Sequence, residues 1–93
     1  MIRVQLSRAA RKDLDKLDDP TARRILDKLT ELESHPEPTG LLRKLRGYDA
    51  LYRLRAGEWR VVGELSEPTF RVVMVGHRRA IYRRLARQSW LEP

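Results

Sequence analysis

The sequence has no cysteine, so neither a disulfide nor a thiolate metal site is available to it, which suits a reducing compartment. No apolar run approaches the roughly 18 residues of a membrane span, and no signal-peptide core follows Met1. Internal repeats, low-complexity stretches and interdomain linkers are missing as well. So are HExxH spacing and paired-carboxylate clusters of the kind that hold a divalent ion. The expectation is a soluble, cytoplasmic chain with no cofactor and no metal. Its 93 residues form a single domain, 1–93, because two separate cores of half that size would each be too small to be stable.

What is abundant is positive charge, and it is unevenly placed. The formal net charge is +7. Residues 1–40 hold eight Lys/Arg and eight Asp/Glu, whereas residues 41–93 hold twelve against five, and eleven of those twelve are arginine. Arginine presents a planar fork that grips phosphate bidentately, while lysine acts as a point charge. A one-sided arginine excess points to a polyanionic partner; a merely soluble basic surface is the other reading.

Hydrophobic periodicity divides the chain in the same way. Ile2–Leu6 alternate apolar and polar residues, as a short strand does. Ser7 is a helix N-cap, with Ala10, Leu14 and Leu17 following at helical spacing. Asp19-Pro20 reads as a second N-cap with proline at the first helical position, and Ile25, Leu26, Leu29 and Leu32 form one stripe that ends before His35-Pro36-Glu37-Pro38. These two helices form an antiparallel hairpin with one buried side. From Asp49 the period becomes two, and turns at Ala56-Gly57 and Glu67-Pro68 define a three-stranded antiparallel meander. A short helix from Arg78 to about Arg87 completes an α+β domain, with its helices on one sheet face.

Strand pairing gives this pattern chemical content. A turn centred on Ala56-Gly57 sets Arg53 opposite Arg60, although Ala-Gly is not an ideal type I′ pair and a one-residue slip stays open. Centring the next turn on Glu67-Pro68 sets Leu65 opposite Phe70 and Val61 opposite Met74. One face then holds Tyr52, Leu54, Trp59, Val61, Leu65, Phe70, Val72 and Met74. The other holds Arg53, Arg55, Glu58, Arg60, Val62, Glu64, Arg71, Val73 and Val75. Opposed arginines cost roughly 0.2–1 kcal/mol, so their convergence with Arg78 suits an anion grip better than stability. Long side chains splaying into screened water are the alternative.

Leu45-Arg46-Gly47, Leu51-Tyr52-Arg53-Leu54-Arg55, Gly57-Glu58-Trp59-Arg60-Val61-Val62 and Val75-Gly76-His77-Arg78-Arg79-Ala80-Ile81-Tyr82, in this order, resemble the RelE/ParE toxin superfamily. The RelE branch of that superfamily cuts mRNA in the ribosomal A site, and the ParE branch poisons DNA gyrase. The resemblance implies a RelE-type mRNA interferase, neutralised by a cognate antitoxin and dependent on the ribosome and its mRNA, with higher-order toxin–antitoxin complexes possible. It implies Arg60, Arg78 and Tyr82 as catalytic residues. The RNA-binding set expected with them is Arg53, Arg55, Lys44, Arg46, His77 and Arg79. Arg53 and Arg55 stand where some RelE proteins have lysine. Gly63 stands where a bulkier residue is familiar, leaving either a gap or a close approach on the core face.

RNA carries its own nucleophile, the 2′-OH, so scission needs no metal if a base, a charge stabiliser and a group for the leaving oxygen are supplied. By the resemblance, arginines supply the electrostatics, Tyr82 supplies the proton chemistry and His77 is a reserve acid. Two rival readings remain open: a ParE-like gyrase inhibitor, and a non-catalytic nucleic-acid-binding module. Trp90 is expected to seal an edge or to touch a partner.

Overall fold

The fold, a computed structural model describing residues 1–87, is a five-stranded sheet with helices on both faces. Trp90 lies outside the described residues. The elements run β1 (Arg3–Leu6), α1 (Arg8–Asp15), α2 (Asp19–Ser34), a 3-10 turn (Pro38–Leu41), β2 (Leu42–Lys44), β3 (Leu51–Ala56), β4 (Trp59–Ser66), β5 (Thr69–His77) and α3 (Ile81–Ala86). The strand order is β1-β5-β4-β3-β2, with β1 parallel to β5 and the remaining neighbours antiparallel. The α+β class and the expected elements are present. β2 is an addition, hidden in a stretch too short to show a period.

Local chemistry explains the helix boundaries. Ser7 Oγ accepts the Ala10 N–H at 3.1 Å, satisfying one of the orphan donors at the start of α1. The cap of α2 is Asp18, one residue earlier than expected, and its carboxylate accepts the Thr21 N–H at 3.2 Å. Pro20 then falls in the first turn, where no N–H is missed. Ile25, Leu29 and Leu32 are buried as expected, but Leu26 is 44% exposed and faces outward.

The sheet has two cores rather than one. Leu42, Leu54, Val61, Phe70, Val72 and Val75 pack against Ala10, Leu14, Ile25, Leu29 and Leu32 of the helical hairpin. On the opposite face Leu45, Leu51, Val62, Val73 and Met74 pack with Ile81 and Leu85 of α3. The expectation of helices on one face alone is therefore corrected. A β-bulge enlarges this second core: pairing runs Gly63↔Val72 and then Val62↔Met74, so Val73 has no counterpart on β4. Beyond it the side-chain alternation of β5 inverts. Met74 moves to the α3 face and Val75 to the helical-hairpin face, the reverse of the sequence expectation, and Val61 faces Val75 instead of Met74.

Gly63 sits at this bulge and makes it possible. A Cβ there would lie 2.6 Å from Phe70 Cζ and 2.8 Å from the Arg71 carbonyl oxygen. The glycine thus leaves neither a gap nor room for a helix; the Phe70 ring covers it. Gly63→Ala is expected to cost about 1–3 kcal/mol through overpacking, measurable as a drop in the urea midpoint at an unchanged m-value.

A second device closes the open margin of β5. β1 ends at the Leu6↔Val72 pair, and the Ser7 N–H donates to the Val72 carbonyl at 2.9 Å. Past this point the Asp13 carboxylate, only 7% exposed, accepts the Val75 N–H at 2.9 Å. It also receives Arg84 Nη2 on both oxygens, at 2.8 and 3.0 Å. Arg84 Nη1 in turn reaches the Val75 carbonyl at 3.4 Å. Asp13 from α1 and Arg84 from α3 thereby stand in for the missing strand and tie the two layers together around the sheet margin.

Candidate functional site

The arginines gather on the α3 face, at the end of the sheet where the β3–β4 turn lies. That turn is Gly57-Glu58, one residue later than expected: Ala56 pairs with Trp59, and Gly57 takes φ +63 at the first turn position. Glycine favours this conformation because it has no Cβ penalty at positive φ. The shift leaves each side chain on its expected face but changes the partners. Arg55, not Arg53, is opposite Arg60, and Arg53 is opposite Val62. On β5 the residue facing Arg60 is Gly76 rather than Val75.

A second opposed pair lies one strand further out, where Arg43 of β2 faces Arg53. Arg43 drew no attention in the sequence because β2 did not. The only available signal was its membership in the arginine-rich half. The four guanidinium groups of Arg43, Arg53, Arg55 and Arg60 thus share one face. Two of them are partly tied to the main chain. Arg43 Nη1 donates to the Gly40 and Leu42 carbonyls at 2.9 and 3.0 Å, and Arg60 Nη1 donates to the Gly57 and Trp59 carbonyls at 2.8 and 3.0 Å. Such bonds offset part of the like-charge repulsion and fix where the charge sits.

Arg78 follows β5 at the same end. Its N–H donates to the Glu58 carbonyl at 2.8 Å, and its Nε donates to Glu58 Oε1 at 3.0 Å. The hydrogen bond and charge of Arg78, with smaller help from His77 and Arg60 and against slight desolvation, hold the Glu58 carboxyl below the usual carboxylate range. Tyr82 stands in the first turn of α3 and is 39% exposed. That turn belongs to the same end of the sheet: a Cβ on Gly76, the partner of Arg60, would lie 3.4 Å from Ile81 Cβ.

The remaining candidates are more dispersed. Arg79 is exposed beside Arg78, and its N–H donates to His77 Nδ1 at 3.2 Å. His77 pairs with Trp59 and meets it edge-on at 5.4 Å between ring centroids, on the helical-hairpin side of the sheet rather than beside Arg60. Lys44 pairs with Tyr52 and falls on that side too. Arg46 lies in the β2–β3 connection, at the end of β3 away from Glu58. Among the described residues no three His, Asp or Glu side chains gather into a metal-binding group.

A family model described as the ParE toxin of type II toxin–antitoxin systems, parDE, matches residues 4–82. The chain belongs to this family. It lies within the RelE/ParE superfamily, as the sequence motifs indicated. No curated protein matches the sequence. Among solved structures, the RelB–RelE antitoxin–toxin complex of Methanococcus jannaschii is similar at 26% identity, with 86% of this chain and 96% of that chain covered and a TM-score of 0.69. The RelBE complex of E. coli gives 25% identity, coverages of 83% and 96%, and a TM-score of 0.65. The RelBE2 complex of Mycobacterium tuberculosis gives 26%, with coverages of 83% and 98% and a TM-score of 0.63. The family's α+β fold and the sheet described above agree.

Proposed function

We propose that this member of the toxin family is a ribosome-dependent, metal-independent endoribonuclease that cuts mRNA in the ribosomal A site. One observation carries the reading. Arg60 of β4 and Arg78, just past the end of β5, meet at the Gly57-Glu58 turn, at the end of the sheet where α3 begins with the exposed phenol of Tyr82. In this mechanism Tyr82 removes the 2′-OH proton, the 2′-oxygen attacks phosphorus as the P–O5′ bond breaks, and the 5′-oxygen leaves with a proton from water to give a 2′,3′-cyclic phosphate, while Arg60 and Arg78 bind the scissile phosphate and stabilise the charge that develops on it. Arg53 and Arg55, with Arg43 beside them, hold the neighbouring backbone. With so spare an acid–base set, the enzyme relies on the ribosome to orient the message.

The similar structures from M. jannaschii, E. coli and M. tuberculosis are toxin–antitoxin complexes, which supports a cognate antitoxin as partner. An acidic or amphipathic segment suits the arginine face. RNA binding through this face should follow counterion release. Arg53→Ala is expected to weaken binding and to lower the slope of log K against log salt by about 0.7–1, read from titrations at several salt concentrations.

The description of the matching family favours a second reading, inhibition of DNA gyrase without nuclease activity. Primer extension on mRNA in a translation extract, run beside a gyrase supercoiling assay, separates the two. In-frame cuts within codons support the nuclease. Uncut message together with blocked supercoiling replaces it with the gyrase inhibitor.

A further inference from the structure

The Gly57-Glu58 turn serves both arginines of the proposed clamp. Its Gly57 carbonyl accepts from Arg60 Nη1 at 2.8 Å, its Glu58 carbonyl accepts from the Arg78 N–H at 2.8 Å, and its Glu58 carboxylate accepts from Arg78 Nε at 3.0 Å. The turn is itself held on both sides, by the Ala56↔Trp59 pair that closes it and by the edge-on contact of Trp59 with His77 on β5. Two guanidinium groups with no anion between them would repel and spread into water. A carboxylate at their shared anchor offsets one charge and fixes the direction of one fork.

We propose that Glu58 is the positioning residue of this clamp, holding Arg78 through its Nε edge so that its terminal nitrogens meet the phosphate at a set separation from Arg60. The role rests on the nuclease reading above. Glu58 need not touch RNA, since its partner is Arg78. As a net negative group beside the phosphate seat, it also opposes loose binding of RNA. The same side chain thus weakens affinity and sharpens geometry. That combination gives it a signature unlike that of an ordinary surface carboxylate, whose removal from a basic face improves binding and leaves turnover alone.

The test is steady-state cleavage of ribosome-bound message by the full chain and by Glu58→Gln. The expected result is a fall in kcat of about 10–100-fold, the scale of a clamp misplaced by around an ångström, with KM unchanged or lower. Glu58→Asp should recover part of the loss, and thermal melting should confirm that both variants fold. In an Arg78→Ala background, Glu58→Gln should lower kcat no further, because Glu58 acts through Arg78. Unchanged kcat in Glu58→Gln overturns the proposal. So does a further fall in the Arg78→Ala background, which would make Glu58 a proton-transfer group in its own right. A wild-type chain that leaves the message uncut sinks the nuclease reading and this role with it. Active wild type with a silent Glu58→Gln sinks this role alone.

Discussion

Replacing Tyr82 with phenylalanine is expected to slow mRNA cleavage by about 10²–10⁴-fold, the usual worth of a positioned general base. The ring stays and only the hydroxyl goes. Tyr82 is 39% exposed on a short helix, whose hold on the sheet comes from Ile81, Leu85 and Arg84. Stability should therefore move by no more than about 0.5 kcal/mol, as for other surface substitutions. Cleavage is read by primer extension at saturating ribosome and folding by thermal melting of the same samples. A Tyr82→Phe protein that cuts at the wild-type rate removes Tyr82 from the chemistry, and the proton must then be taken by another group or by the ribosome.

The second large effect concerns stability rather than turnover. Asp13→Ala is expected to cost about 2–4 kcal/mol, because it leaves the Val75 N–H unpaired inside the protein and strips Arg84 of both its carboxylate bonds. In a domain of this size that is a fall in melting temperature of roughly 10–20 °C. Arg84→Met should cost less. Arg84 is 40% exposed, and in its absence the Val75 N–H still has Asp13 as partner. Equal losses from the two substitutions would mean that the ion pair itself matters more than the orphaned amide. Activity should fall with Asp13→Ala only as far as α3, which carries Tyr82, loosens from the sheet.

How far the sequence disclosed this arrangement follows from the physics of each element. The caps at Ser7 and near Asp18 were legible because a short polar side chain ahead of an apolar stripe has few other uses. The arginine face was legible because strand alternation has a fixed period, and the one-residue displacement of the β3–β4 turn kept every side chain on its own side. The partners were not, since Ala56-Gly57 and Gly57-Glu58 are both workable turn centres and the choice rests on where the positive φ of Gly57 falls. The bulge at Val73 escaped altogether. Val72-Val73-Met74-Val75 is a continuous apolar run, and such a run is the mark of a strand buried on both sides; strict alternation hid that meaning. β2, with three residues, and Arg43 within it lie below the length at which any period shows. Glu58 could be placed only once β5 was known to bring Arg78 to its carboxylate.

The parallel pairing of β1 with β5 joins the first strand to the last among the described residues. During synthesis β1 has no strand to pair with until residues 69–72 have left the exit tunnel, and until then Phe70, Val72 and Val75 are missing from the core over the two hairpin helices. Completion of the sheet therefore waits on the synthesis of β5. A product truncated before Thr69 has nothing with which to complete the sheet, and its fate is aggregation or proteolysis rather than partial activity.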